Sequence, residues 1–169
     1  MSQRTKDLAL CAVLAAMAMI FSYIEAIIPI PVPIPGIKLG LANLVIVIAL
    51  YSMDLKHAMA INLTRILVTG LLFTGLIATI YSLTGGILSL LVMGLLKKTD
   101  KFSIIGVSMA GGVMHNVGQL IIASIMVSDI KMFLYFPVLL FAGLITGILI
   151  GIASHILLSA LPDMKKAGY

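Results

Sequence analysis

A set of polar side chains sits inside long apolar runs of this sequence: Glu25, Asn43, Asn62, Arg65, Tyr81, Ser82, Thr84, His115, Asn116 and Gln119. Polar groups cost free energy in an apolar surround, so those that persist there face one another, a water-filled cavity or a ligand. The types suit recognition. Arg65 supplies a fixed positive charge, and Asn43, Ser82, His115 and Gln119 supply hydrogen bonds that orient a bound molecule. His115 and Gln119, four residues apart, share one face of a helix. The types do not suit catalysis or metal binding. Only one His lies in the group, and no acid or thiol is spaced to join it as a metal ligand. The single Cys11 excludes an intrachain disulfide and a cysteine-held iron–sulfur cluster. No catalytic residue, metal or cofactor is expected.

The elements that must position these groups follow from composition. Of 169 residues, 62% are hydrophobic and 10% charged, far too few charges to cover a soluble domain. At about 20 apolar residues per helical span, the sequence predicts six spans, near 8–28, 39–53, 57–74, 76–96, 104–127 and 133–161. The expected fold is an all-α, polytopic six-helix bundle forming a single transmembrane domain over 1–169. The first run is too long for a signal-peptide core and has no small-residue cleavage site after it, so it reads as a retained span. Between the first two spans, Pro31, Pro33 and Pro35 alternate with apolar residues up to Gly36 and predict an extended segment.

Orientation comes from the basic residues. With the N-terminus inside, Arg4, Lys6, Lys56, Lys97, Lys98, Lys101, Lys165 and Lys166 lie inside, and only Lys38 and Lys131 lie outside. That asymmetry predicts both termini in the cytoplasm of a multi-pass cell-membrane protein. The formal charge of +5 therefore records topology. It forms no basic stripe with interleaved aromatics, so nucleic acid is excluded as a partner.

Placed by depth, the polar groups of several spans converge on the outer half of the bundle, while the inner halves read as more uniformly apolar. A pocket open to the outside, with 29–37 as its lid, fits that pattern better than a channel. Plainer readings stand beside it. Arg65 and Glu25 form a structural ion pair, or Arg65 binds an anion. Asn116 cross-links helices. Gly85-Gly86 serves ligand approach or helix packing equally well. Gly143, Gly147 and Gly151 line one helix face, which lets a neighbouring backbone approach, and Gly106/Ala110 and Ser108/Gly112 repeat the device. On the first span, Ala12-x-x-x-Ala16 serves internal packing or a partner membrane protein, with internal packing favoured by the residues alone.

Four stretches carry a resemblance: Gly36 to Asn43 (GIKLGLAN), Ser82 to Ser89 (SLTGGILS), Ser108 to Gln119 (SMAGGVMHNVGQ), and Tyr135 to Leu140 (YFPVLL). Together they resemble the heptaprenyl diphosphate synthase component I family, also called the Gx transporter family. That family is in turn similar to the substrate-binding S components of energy-coupling factor (ECF) transporters. The second similarity implies six helices, an outward-facing pocket, a capping loop after the first helix, and Ala12 and Ala16 turned toward a transmembrane coupling protein that works with an ATPase module.

The family's name implies prenyl-chain synthesis, which needs paired aspartates to hold magnesium on a diphosphate. Asp7, Asp54, Asp100, Asp129 and Asp163 are all isolated, so this chain is not expected to be an enzyme by itself. The leading expectation is a membrane substrate-binding protein that captures a small amphipathic or anionic molecule from the outer side, amid membrane lipids. A non-catalytic membrane subunit serving isoprenoid or quinone biosynthesis is the alternative. A component of a membrane electron-transfer system is the third.

Overall fold

Apolar runs of this length coil into helices because a backbone away from water can satisfy its N–H and C=O groups only within itself. The computed structural model describes residues 2–28 and 40–160. Its helices are α1 (Gln3–Ile27), α2 (Leu41–Ser52), α3 (Leu55–Thr69), α4 (Gly75–Lys98), α5 (Ile104–Val127) and α6 (Phe136–Ala160). A π-helical turn, Gly70–Thr74, joins α3 to α4, and a 3-10 turn, Ile130–Tyr135, leads into α6. Among the described residues helix therefore falls into five uninterrupted stretches, of which four are long and apolar enough to cross a membrane. The fifth, α2, has only 12 residues. No strand occurs among the described residues. The chain is an all-α membrane protein; its helices cover the stretches expected as spans, but α2 is too short to count as one and α3 and α4 belong to one helical stretch, so the expected count of six spans is not shown. The proline-rich segment expected as a lid lies outside the described residues.

The stretch from α3 through α4 is 44 residues long and doubles back on itself. Leu55 packs at Gly94, Asn62 at Gly86 and Thr79 at Gly70, so α3 and α4 run antiparallel. The reversal sits at Gly75, whose φ of +79° favours glycine although a Cβ there would have open space.

Local signals hold the helix ends. Ser2, Asp54 and Ser103 each accept a hydrogen bond from a first-turn backbone N–H, Asp54 from His57 and Ser103 from Gly106. Partial burial works to raise the Asp54 pKa, but the hydrogen bonds from the His57 backbone and ring outweigh it and hold the carboxyl below its ordinary range. At the far end of α2, Lys97 Nζ donates to the Leu50 carbonyl at 2.7 Å and lies over the Tyr51 ring.

Helix α2 is buried on every face, from Val45 to Ser52, which explains why it is apolar all round. It packs at the centre of a cluster with Leu14, Ile61, Leu90, Val107 and Leu158 from the surrounding helices. The outer faces of those helices carry exposed Leu8, Leu95, Phe141 and Leu149, a surface suited to lipid. Between α5 and α6, packing is backbone to backbone. A Cβ on Gly147 would lie 2.7 Å from Met109 Cα, and one on Gly151 equally close to Ile105 Cα. Gly112 and Gly143 face each other across the same seam. Gly106 departs from expectation: a Cβ there meets only Ser103 and Phe102, at ordinary distances, so Gly106 does not serve that seam.

Candidate functional site

One cavity gathers polar residues from each of α1 to α6. Ser22 and Glu25 enter from α1, Asn43 from α2, Arg65 and Thr69 from α3, Ser82 and Ser89 from α4, Ser108, His115, Asn116 and Gln119 from α5, and Thr146 from α6. It encloses about 940 Å³ free of protein atoms, open mouth included. Each helix contributes residues at helical spacing, such as Ser82, Ser89 and Met93 on α4, because only one stripe of a helix turns inward.

Arg65 is the charged centre. It is 8% exposed, and its guanidinium donates to three neutral oxygens: Asn62 Oδ1 at 2.7 Å, Ser22 Oγ at 3.3 Å and Asn43 Oδ1 at 3.5 Å. Its Nε has no partner among the described residues. The Glu25–Arg65 ion pair weighed from the sequence is not formed, for the one ion pair among the described residues joins His57 to Asp54. The Glu25 carboxylate accepts instead from the Gly40 backbone N–H, at the start of α2. Arg65, for its part, is engaged by the two asparagines and Ser22.

Across the cavity, His115 Nε2 and Gln119 Nε2 lie 3.2 Å apart on one face of α5. Asn116 lines the space, but its amide donates to the Leu139 carbonyl at 2.7 Å, so it ties α5 to α6. Asn62 stands behind Arg65 and contributes through it. Tyr81 and Thr84 do not line the cavity. They flank Ser82 at about 100° and 200° of helical rotation, and the Thr84 hydroxyl turns back to the Ile80 carbonyl. Gly85 and Gly86 pack against His115, Gln119 and Asn62, which settles them as helix-packing residues. Ala12 and Ala16 lie exposed on the outer face of α1, away from the bundle core.

The cavity also reaches deeper than the sequence suggested. Ser89, Ser108 and Thr146 continue its polar lining, alongside Gly111, Gly112 and Gly147. On α5, the positions 108, 112, 115 and 119 repeat at three- and four-residue intervals, so the periodicity that linked His115 to Gln119 already reached Ser108.

A family model described as heptaprenyl diphosphate synthase component I matches residues 14–157. The chain belongs to that family. All the cavity-lining residues, from Ser22 to Ile150, fall inside the matched region, as does Ala16, while Ala12 falls just before it. No curated protein and no solved structure matches the chain. Among the described residues no group of His, Cys, Asp and Glu is arranged to hold a metal.

Proposed function

We propose that this chain is a membrane-embedded binding component that holds a small amphipathic or anionic molecule in the cavity around Arg65. Six spans with both ends in the cytoplasm open that cavity to the outer side. The observation that carries the reading is a buried guanidinium facing a cavity, with no carboxylate among the described residues paired to it. A charge that serves only structure is normally closed off by a counter-charge, because an unpaired one is costly in an apolar surround. Asn43, Ser82, His115 and Gln119 orient the ligand, and the exposed Ala12 and Ala16 face offers smooth contact to a transmembrane coupling partner of an ATPase module.

Mass spectrometry of small molecules retained after gentle purification tests this. An anionic molecule is expected in the native protein and absent from Arg65→Gln, with the variant still folded. If nothing is retained and Arg65→Gln alters only stability, the binding role is wrong.

A second reading rests on the family's description, which fits a synthase component better than a transport role. Here the chain is a non-catalytic membrane subunit serving isoprenoid or quinone synthesis, and the reaction belongs to a soluble partner. Co-purification with an aspartate-rich synthase whose activity depends on this chain is the expected result. A synthase equally active without it would eliminate the reading.

A further inference from the structure

We propose that the ligand of this cavity presents a single carboxylate, and that Glu25 is its built-in competitor, resting on the backbone donor that the ligand's carboxylate takes. The inference depends on the binding role proposed above and adds the chemistry and control of the head-group site.

The argument starts from the length of α2. Twelve residues rise about 18 Å, against a hydrocarbon layer of about 30 Å. One end of α2 is fixed near the Leu55–Lys97 side of the bundle by the Lys97–Leu50 bond. With that end at one boundary of the layer, as the topology proposed above has it, the other end at Gly40, beside Glu25 and Ile150, falls inside the layer. A helix N-terminus carries unsatisfied N–H groups and a partial positive charge, and it draws an anion strongly where water is scarce. Gly40 has no side chain with which to cap it. The anion found there is Glu25, reaching across from α1.

The second observation is independent of that helix end. Arg65, almost fully buried, lines the same cavity with its Nε lacking a partner among the described residues, and Asn43 of α2 bonds the guanidinium. A helix terminus and a guanidinium thus converge on one space. Among the described residues, the only carboxylate lining that space sits on the first and is not paired with the second.

Charge selects the ligand. Among the described lining residues the fixed charges are one arginine and one glutamate. A monoanion that replaces Glu25 on the Gly40 N–H meets one cation and one helix terminus. A diphosphate would bring two or more negative charges to the same single cation and to Glu25 itself, a like-charge conflict. The uncharged deep end, with Ser89, Ser108 and Gly111, takes the neutral remainder of the molecule.

The test measures binding of hexanoate and of inorganic pyrophosphate to the full-length chain in detergent, by calorimetry. Hexanoate is expected to bind the native protein and to bind Glu25→Gln about tenfold more tightly, because the competing charge is gone while the side-chain shape remains. Glu25→Asp, which keeps the charge but draws it back from Gly40, should tighten binding by a smaller factor. Arg65→Lys should weaken binding about tenfold or more. If hexanoate binds in an Arg65-dependent way and neither Glu25 variant binds it more tightly, the competitor role is overturned and the binding role stands. Pyrophosphate binding more tightly than hexanoate overturns the carboxylate assignment alone. No binding of either probe by any folded variant overturns the binding role as well.

Discussion

The two sides of this bundle are built by opposite means. Where α5 meets α6, side chains are removed: Gly112, Gly143, Gly147 and Gly151 bring the backbones together. Where α1, α2 and α3 meet, side chains are kept and made polar: Ser22, Asn43, Asn62 and Arg65 hold one another across a space that stays open. Lipid tails are as apolar as leucine, so helices in a membrane gain little by hiding leucine from lipid. Close contact and hydrogen bonding are the remaining sources of attraction. Each side of the bundle relies chiefly on one of them, although the Asn116–Leu139 bond also joins α5 to α6, and the cavity lies between the two sides.

Substitutions can break or sharpen that contrast. Gly147→Leu should have the largest effect, because even its Cβ would press on the backbone of Met109 and Ser108. A loss of about 3 kcal/mol is expected for such overpacking, read as a lowered unfolding temperature in detergent. Asn62→Ala removes the shortest hydrogen bond to Arg65. It should cost about 1.5–3 kcal/mol, the range for bonds to charged groups, and should weaken retention of an anionic molecule in the same preparation. Asn116→Ala cuts the single side-chain bond to Leu139 that reinforces the glycine seam. About 0.6 kcal/mol is expected, typical of interhelical bonds in a membrane, with ligand retention nearly unchanged. Gly106→Ala should show the smallest effect and the opposite sign. Its Cβ would meet only Ser103 and Phe102, at ordinary contact distances, so alanine's better helix propensity, reduced in a first turn, should stabilise the chain by less than about 0.5 kcal/mol. If Gly106→Ala and Gly147→Ala behaved alike, the seam would not be where the glycines place it.

Much of this was legible in the residues. Burial of polar groups in apolar runs singled out Arg65, Glu25, Asn43, Ser82, His115 and Gln119, and all six line the cavity. The glycine stripe of α6 was likewise readable, since spacing by four fixes one helix face. Tyr81 and Thr84 were misplaced because proximity along the chain to Ser82 says nothing about direction around the helix. Ser22, Ser89 and Thr146 were missed for a related reason. A lone hydroxyl in a helix satisfies itself on the preceding turn, as Thr146 does on the Ala142 carbonyl, and so carries little signal by itself.

Composition and periodicity by themselves determined the solvent of this protein, the extent of its helices and the small group of polar residues that had to face inward. These follow from local physics: an apolar run must bury its backbone polarity in helix, and a charge inside it must find company. Which company it finds was decided only by the tertiary structure. The residues alone left an ion pair between Glu25 and Arg65 open, yet one settles on the Gly40 N–H and the other among asparagines. That outcome depends on where the short α2 ends relative to α1 and α3, a matter of helix register and rotation that packing between distant segments sets.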